Sequence, residues 1–237
     1  MEIQGKTVLI TGANRGIGAA LVRAFLKAGA GKIYAGARNP SALPAFNDAR
    51  VVPLKLDITN PTDVAVAVKS AGDVDVLVNN AGVASGGSIL TSSAGELAGD
   101  MDVNYYGTVR MMQAFAPALE QRKGTIANVI SVVGLASLPT LAGYSATKAA
   151  LFSATQAARA ALQAKNVKVI GIYPGPIDTE LAASLTMDKA SPDDTAEDIV
   201  AGIIAGQDEI YPDPASKQLS TLWGSNPKGL EQYFAGL

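Results

Sequence analysis

The sequence contains neither cysteine nor histidine among its 237 residues. Without cysteine there is no disulfide, no thiolate nucleophile and no cysteine-ligated metal. Without histidine, the commonest general base and the commonest zinc ligand are missing as well. We therefore predict no metal site, and any acid–base chemistry must fall to tyrosine, lysine or carboxylate side chains.

The sequence also has little net charge and no long apolar run. A formal net charge of −2 gives no electrostatic reason to expect nucleic acid or an anionic membrane as a partner. No run reaches the roughly 18 apolar residues of a membrane helix. The first six residues carry no basic-then-apolar signal pattern, so a cytoplasmic location is expected by default.

Short β-branched apolar runs alternate with longer, alanine-rich segments along the chain. Runs that are apolar on both faces are typical of parallel strands covered by helices on both sides. We predict an α/β fold of one domain over residues 1–237, a Rossmann-like doubly wound parallel sheet flanked by helices on both faces. The predicted strands are Thr7–Ile10, Lys32–Ala35, Val51–Leu56, Val74–Val78, Thr125–Ile130 and Val167–Ile172, and the predicted helices are Ala19–Ala28, Asp63–Ser70, Gly107–Gln121 and Ser145–Lys165.

A glycine-rich turn over residues 11–18 follows the first predicted strand and opens the first predicted helix. Gly12 permits a tight turn, Gly16 lets the backbone approach a pyrophosphate, and Gly18 allows the helix to pack closely on the sheet. The free N–H groups and partial positive charge of a helix N-terminus favour phosphate. Such glycines also occur in purely structural turns, but their position between strand and helix favours dinucleotide binding.

Two arginines lie near the expected adenosine end of this site. The second predicted strand runs into Ala37 and Arg38, where sites that prefer NAD usually have an acidic residue for the ribose 2′-hydroxyl. Together with Arg15 of the glycine turn, Arg38 favours a 2′-phosphate, which a carboxylate would repel. Two solvated surface arginines are the alternative interpretation. The pattern predicts NADP(H) as the cofactor.

Tyr144 and Lys148 are four residues apart at the start of an alanine-rich predicted helix, so both side chains share one face. A nearby ammonium stabilises phenolate, and we predict that Lys148 lowers the pKa of Tyr144 into a range useful for acid–base catalysis. Ser131 ends the fifth predicted strand, at the sheet edge where ligands bind, and is predicted to hold the substrate oxygen. Asn104 lies in a helical segment, where it either kinks the helix or holds a water that relays protons from Lys148.

These motifs together resemble those of the short-chain dehydrogenase/reductase family, in its short single-domain form, over nearly the whole chain. Each motif alone is moderately specific, and their common order and spacing carry the resemblance. The motifs are Thr11-Gly-x3-Gly-x-Gly18, Asn79-Asn80-Ala81-Gly82, Asn104, Ser131, Tyr144-x3-Lys148 and Pro174-Gly175.

The resemblance implies hydride transfer between NADP(H) and a carbonyl or alcohol, in a direction that the sequence does not reveal. It implies that Asp57 contacts the adenine and that Thr179 lies near the nicotinamide carboxamide or the phosphates. The implied catalytic tetrad is Asn104, Ser131, Tyr144 and Lys148. The implied cofactor-binding residues are Gly12, Asn14, Arg15, Gly16, Ile17, Gly18, Arg38, Asp57, Ile58, Asn79, Ala81, Gly82, Tyr144, Lys148, Pro174, Gly175, Ile177 and Thr179.

The expected substrate segments are 83–88, 133–138 and 181–187, at the carboxyl edge of the sheet. They contain no histidine, arginine or lysine, which favours a small, uncharged, apolar ketone or aldehyde. A substrate loop is expected over about 181–195, with 186–195 as a lid. The Pro-, Gly-, Asp- and Ser-rich region beyond residue 206 predicts a short strand and then an irregular tail over about 212–237.

Two other functions remain open. A catalytically idle NADPH-binding regulator commonly loses the tyrosine or lysine, and this chain keeps both. A redox-neutral relative such as a halohydrin dehalogenase is expected to lose the glycines and to have arginine in place of Lys148. Many family members form tetramers through a glycine-rich C-terminal stretch, which Glu209–Pro214 does not match. A homo-oligomer, dimer or tetramer, is expected, with a monomer also open.

Overall fold

A parallel seven-stranded sheet is the central element of the computed structural model, which describes residues 1–183 and 185–237. Its strand order is β3-β2-β1-β4-β5-β6-β7, and each neighbouring pair is parallel. The strands are β1 (Thr7–Thr11), β2 (Lys32–Ala37), β3 (Val51–Lys55), β4 (Val76–Asn79), β5 (Thr125–Val129), β6 (Lys168–Ile172) and β7 (Glu209–Ile210).

Helices cover both faces of this sheet. They are α1 (Gly16–Lys27), α2 (Pro61–Ser70), α3 (Ala94–Met101), α4 (Thr108–Arg122), α5 (Ala142–Gln163), α6 (Pro192–Ile204), α7 (Pro214–Ser225) and α8 (Pro227–Ala235). Successive β1 residues point to opposite sides: Ile10 packs in one core with Phe25 of α1, and Leu9 in another with Phe115 of α4. The predicted doubly wound sheet is confirmed. Among the described residues, no helix combines the length and apolarity needed to cross a membrane.

The strand order reverses between β1 and β4, which lie side by side at the centre of the sheet. In sheets of this kind the connections leave to opposite sides at the reversal, and a crevice opens outside the carboxyl ends of the strands. The glycine turn follows β1, residues 80–82 follow β4, and Ser131 follows β5. The fold therefore brings the predicted motifs to one edge.

The prediction of an irregular tail over 212–237 is wrong, because α7 and α8 occupy most of it. The Asp213 side chain caps α7 and Pro214 is its first residue, and the Asn226 side chain caps α8 ahead of Pro227. Short polar caps followed by proline are helix-start signals. The residue types that suggested irregular structure are therefore those that begin these helices.

The segment predicted as a lid over 186–195 also differs from expectation. Ala190 forms a β-bridge with Ile177, the Ser191 side chain caps α6, and residues 192–195 are already its first turn. Proline at the first helical position and Ser191 as cap explain why the helix begins there. Ser184, inside the predicted substrate loop, lies outside the described residues.

Candidate active site

A cavity of about 570 Å³ opens along the carboxyl edge of the sheet, within the usual volume range of ligand sites. It extends from the glycine turn to the start of α5, so it joins the predicted cofactor residues to the predicted catalytic ones. The predicted residues that line it are Gly12, Asn14, Arg15, Gly16, Ile17, Gly18, Arg38, Asp57, Ile58, Ala81, Gly82, Ser131, Tyr144, Lys148, Pro174, Gly175, Ile177 and Thr179.

The glycine turn needs glycine both for its backbone conformation and for its close packing. Gly12 and Gly16 have φ angles of +67° and +52°, in the left-handed region. A Cβ on Gly18 would lie 2.1 Å from the Gly12 carbonyl oxygen and 2.5 Å from Asn80 Nδ2. At its glycines the turn therefore offers bare backbone at the N-terminus of α1, as dinucleotide phosphates require.

Asn80, rather than Asn79, connects the loop after β4 to the glycine turn. Asn80 Nδ2 donates to the carbonyl oxygens of Thr11 and Gly12, at 3.0 and 3.2 Å, and it lines the cavity. Asn79 is only 3% exposed and donates from Nδ2 to Asn128 Oδ1 at 2.8 Å. The Asn79 side chain therefore does not line the cavity, and the contact of Asn79 with the cofactor stays a prediction.

The two predicted arginines have different surroundings. Arg15 forms an ion pair with Glu180, a cavity-lining residue that sequence reasoning did not identify. Arg38 is exposed and forms no ion pair with the residues that the structure describes. Burial raises the pKa of the nearby Asp57, but hydrogen bonds from Thr59 and the Arg38 charge outweigh it, and the pKa lies below its ordinary value. Among the described residues, then, the Arg38 guanidinium is without an ion pair, whereas that of Arg15 is paired.

Tyr144 and Lys148 both line the cavity, one turn apart on α5. Lys148 is 3% exposed; its Nζ donates to the Val129 carbonyl oxygen at 2.8 Å and lies 5.4 Å from the Tyr144 ring centroid. Burial raises the pKa of the Tyr144 phenol, the Ser131 hydroxyl lowers it, and the Asp100 charge raises it, with a net rise above the ordinary value. The predicted lowering of this pKa is therefore wrong, since burial outweighs any help from the ammonium.

Burial also changes the proton affinity of Lys148. It lowers the pKa of the ammonium from 10.5 to about 8, because the charged form loses water on burial. A group with this pKa exchanges protons readily near neutral pH, where an ordinary lysine stays fully charged. Lys148 is therefore suited to pass protons as well as to hold a ligand by hydrogen bonds.

Replacing Lys148 with methionine is expected to raise the free energy of unfolding at pH 7 by roughly 3 kcal/mol, less the lost Val129 hydrogen bond. The folded-state pKa of about 8 lies below the ordinary 10.5, so the unfolded chain binds more protons between these values. The advantage of the variant should therefore be full below pH 8 and should shrink towards pH 10.5. Urea unfolding at several pH values in this range measures the difference in free energy of unfolding between the variant and the original protein. The same change at the exposed Lys228 is the control. A difference that does not vary with pH would contradict the lowered pKa of Lys148.

Ser131 lies beside Tyr144 at the end of β5, as the sequence predicts. It is 8% exposed, and its Oγ donates to the Pro174 carbonyl oxygen at 3.2 Å and accepts from the Val133 N–H at 3.3 Å. These two bonds fix the rotamer of the hydroxyl against the chain that follows β6. Ser131 thus presents a fixed oxygen next to the phenol.

Asn104 is fully buried in a π-helical turn, Asp102–Gly107, between α3 and α4. Its Oδ1 accepts from the Val83 N–H at 2.9 Å, and its Nδ2 donates to the Val83 oxygen and to Thr147 Oγ1, at 2.8 and 3.0 Å. Asn104 does not line the cavity; it connects the segment after β4 to α5. Single π-turns are frequent at functional sites, and Asn104 lies within one.

Asp100 is a further polar residue near the phenol that sequence reasoning missed. It is 2% exposed, and its carboxylate accepts from the Ser85 N–H at 3.0 Å and from Ser85 Oγ at 2.9 Å. An aspartate on a short helix is usually solvated, so the sequence carries no signal for its burial. Asp100 ties the first predicted substrate segment to α3.

The predicted substrate segments divide between two cavities. Val83 and Leu181 line the main cavity, whereas Ser88 and residues 133–137 line a second one of about 500 Å³. The second cavity also contains Ser145 and Ala146 at the start of α5, next in sequence to Tyr144. Both linings are small or apolar near the phenol, as expected from the sequence.

Comparison with known proteins adds independent information. The family described as short chain dehydrogenase matches residues 6–190. Short chain dehydrogenase pigC of Monascus ruber is 36% identical over 197 residues, 76% of this chain and 65% of its own length. This chain therefore spans slightly less than two thirds of that protein. The 3-oxoacyl-(acyl-carrier-protein) reductase FabG of Thermotoga maritima is 32% identical over 195 residues, 78% of this chain and 79% of its own.

Among solved structures, a short chain dehydrogenase from Burkholderia cenocepacia J2315 in complex with NADP superposes with a TM-score of 0.93. The two chains are 38% identical, and the superposition covers 99% of each. The similarity therefore extends through the C-terminal helices, beyond the matched residues 6–190.

Proposed function

Because the chain belongs to the short-chain dehydrogenase family, a family of oxidoreductases, we propose that it interconverts a carbonyl compound and an alcohol with NADP(H), using Tyr144 as general acid and base. The observation that carries this proposal is a single cavity lined by Tyr144, Lys148, Ser131 and the glycine turn. In such a reaction the bound nicotinamide supplies or accepts the hydride. The protein orients the reactants and moves the proton.

The residues at the phosphate end fit a dinucleotide carrying a 2′-phosphate. Gly16 lets the backbone approach a phosphate at the N-terminus of α1, and Gly18 lets the helix start pack directly against Gly12. Arg38, exposed and without an ion pair among the described residues, would hold the 2′-phosphate. The Burkholderia cenocepacia relative, which is similar over 99% of the chain, is in complex with NADP. NADP(H) is the proposed cofactor.

With its pKa above the ordinary value, the Tyr144 phenol is protonated at neutral pH, which is the form that a general acid requires. Burial keeps the proton on the phenol until negative charge develops on the substrate oxygen. Ser131 donates a hydrogen bond to the same oxygen after releasing the Pro174 carbonyl. Lys148, with a pKa near 8, then restores the proton to the phenol. For alcohol oxidation the same residues act in reverse.

Asn104 is proposed to complete the tetrad through its neighbours rather than by touching the substrate. Its three hydrogen bonds join Val83, beside the cavity, to Thr147, next to Lys148. A proton relay through water at this position stays a prediction. The proposed substrate is a small, uncharged, apolar ketone or aldehyde, because the linings near the phenol carry no basic side chain other than Lys148.

A screen of NADPH oxidation over aldehydes, aryl ketones, diketones and steroid ketones, with NADH in parallel, tests the proposal. Turnover of at least one carbonyl, faster with NADPH than with NADH, is the expected result. Tight NADPH binding without turnover of any compound would instead favour a regulatory protein. Failure to bind either nucleotide would overturn the proposal altogether.

Replacing Arg38 with alanine is expected to raise the KM for NADPH by roughly 10- to 100-fold, which is the loss of a charge-assisted hydrogen bond. The KM for NADH should stay near its original value, because NADH has no 2′-phosphate to lose. Steady-state kinetics with both nucleotides measure the difference, and the exposed Arg23 on α1, changed to alanine, is the control. An equal rise in the KM for NADPH and for NADH would contradict the proposal that Arg38 holds the 2′-phosphate.

A further inference from the structure

Asp213 is a buried carboxylate outside the catalytic group, at the N-terminus of the C-terminal helix α7. It is 2% exposed, and each of its oxygens accepts a separate hydrogen bond. Oδ1 accepts from the Ser216 N–H at 2.9 Å, which caps α7. Oδ2 accepts from the Gly175 N–H at 2.8 Å, across 38 residues of sequence. A helix cap needs one oxygen, so the second oxygen has another role.

The second oxygen acts on the chain that follows β6, where Pro174 and Gly175 line the cavity. The Pro174 carbonyl oxygen accepts from Ser131 Oγ at 3.2 Å and from the Val132 N–H at 3.1 Å. Asp213, the 174–175 peptide and Ser131 thus form a continuous hydrogen-bonded series. The position of the Ser131 hydroxyl depends on where this peptide lies.

Close packing supports the same connection. A Cβ on Gly175 would lie 2.8 Å from Asp213 Oδ1 and 3.3 Å from Ala215 Cβ. The first turn of α7 therefore presses directly on the cavity wall at Gly175. Behind it, Leu219 of α7 packs with Tyr173 and with Leu230 of α8 in one buried cluster.

We propose that Asp213 is a positioning residue, which holds the 174–175 peptide against Ser131 and so shapes the seat of the nicotinamide half of the cofactor. The inference rests on the proposed function, because it assigns the nicotinamide to this end of the cavity. Asp213 lies behind the cavity wall and does not line it, so it acts through Gly175. The C-terminal helices are then part of the active-site framework.

The test is Asp213→Asn, compared with Ser216→Ala. Asparagine caps helices as well as aspartate does, but it has one acceptor oxygen, so its amide N–H groups would face the Gly175 N–H. Ser216→Ala removes the hydroxyl that accepts from the Asp213 N–H and leaves the Gly175 bond intact. Ser216→Ala therefore weakens the start of α7 without disturbing Gly175, whereas Asp213→Asn keeps the cap and loses the hydrogen bond from the Gly175 N–H.

Binding is measured by calorimetry with two ligands, NADPH and 2′-phospho-ADP-ribose, which lacks nicotinamide. Asp213→Asn should lower the affinity for NADPH about tenfold or more and leave the affinity for 2′-phospho-ADP-ribose unchanged. It should also reduce kcat. Ser216→Ala should leave both affinities and kcat near the original values, at a similar loss of thermal stability. Asp213→Ser, which also keeps a cap, should repeat the effect of Asp213→Asn and guards against misfolding of one variant.

If Asp213→Asn lowered the affinity for both ligands equally, the inference would be overturned. The same holds if Asp213→Asn and Ser216→Ala had equal effects on NADPH affinity and kcat. Either result would leave Asp213 as a simple helix cap. Normal NADPH binding and kcat in Asp213→Asn would do the same. If the unmodified protein binds 2′-phospho-ADP-ribose and NADPH but the variants do not differ, only this inference fails. If it binds neither ligand, the proposed function fails first.

Discussion

Replacing Tyr144 with phenylalanine is expected to lower kcat on the order of 10²- to 10⁴-fold, the usual contribution of a general acid. Phenylalanine keeps the ring that packs 5.4 Å from Lys148 Nζ and removes only the hydroxyl. NADPH affinity should therefore change little. Steady-state kinetics on the best carbonyl, with fluorescence titration of NADPH, give both quantities.

The matched control for this change is Tyr106→Phe. Tyr106 is 55% exposed, in the same π-helical turn as Asn104, and does not line the cavity. Its loss of a hydroxyl should leave kcat unchanged. A Tyr144→Phe protein with kcat close to that of Tyr106→Phe would remove Tyr144 from the proton transfer.

Replacing Gly18 with alanine is expected to weaken NADPH binding on the order of 10²-fold, equivalent to about two lost hydrogen bonds to phosphate. The new Cβ would lie 2.1 Å from the Gly12 oxygen, so the turn must move away from the helix. Overpacking of this kind also lowers the free energy of unfolding by about 1–3 kcal/mol. Calorimetric titration and urea unfolding measure the two effects.

Gly224→Ala is the control for Gly18→Ala, since it adds the same methyl group to a helix. Gly224 is exposed on α7, and apart from its own helix none of the described residues comes within 4 Å of the position that its new Cβ would take. Because alanine is the better helix former, this change should stabilise the protein by roughly 0.5–1 kcal/mol and leave NADPH binding unaltered. Normal NADPH binding by Gly18→Ala would show that the glycine turn does not hold the cofactor.

The features that sequence predicts well here depend on local patterns. Apolar runs such as Thr7–Ile10 predict buried parallel strands, and the glycine turn after the first of them predicts a phosphate site at the same edge. The spacing of Tyr144 and Lys148 follows from helix geometry alone. Each of these patterns is complete within fewer than about 20 residues, the length of one strand–turn–helix unit.

The features that sequence does not predict depend on contacts between distant residues. Glu180 meets Arg15 from 165 residues away, and Asp213 meets Gly175 from 38 residues away. Nothing near these acidic residues indicates their partners. The rise of the Tyr144 pKa likewise depends on burial by the assembled fold, which the neighbouring residues in the sequence do not reveal.

The sequence contains signals for the two C-terminal helices, but the amino-acid composition of this region suggests an irregular tail instead. Asp213-Pro214 and Asn226-Pro227 each place a preferred cap before a proline, the typical start of a helix. When Pro, Gly, Asp and Ser are simply counted as loop formers, the order of a capping residue followed by proline is overlooked. Asn79 shows a similar limit, because its side chain bonds to Asn128 of β5, whereas the side chain of the next residue, Asn80, reaches the glycine turn.

The most direct test of hydride transfer with a Tyr144 proton follows deuterium from NADPH labelled on one face of nicotinamide C4. Mass spectrometry of the alcohol formed from the best carbonyl gives the fate of the label. The expected result is transfer from one face only to the carbonyl carbon, slowed on the order of 10²- to 10⁴-fold in Tyr144→Phe. An alcohol without deuterium from either face, or equally fast transfer in Tyr144→Phe, would contradict it.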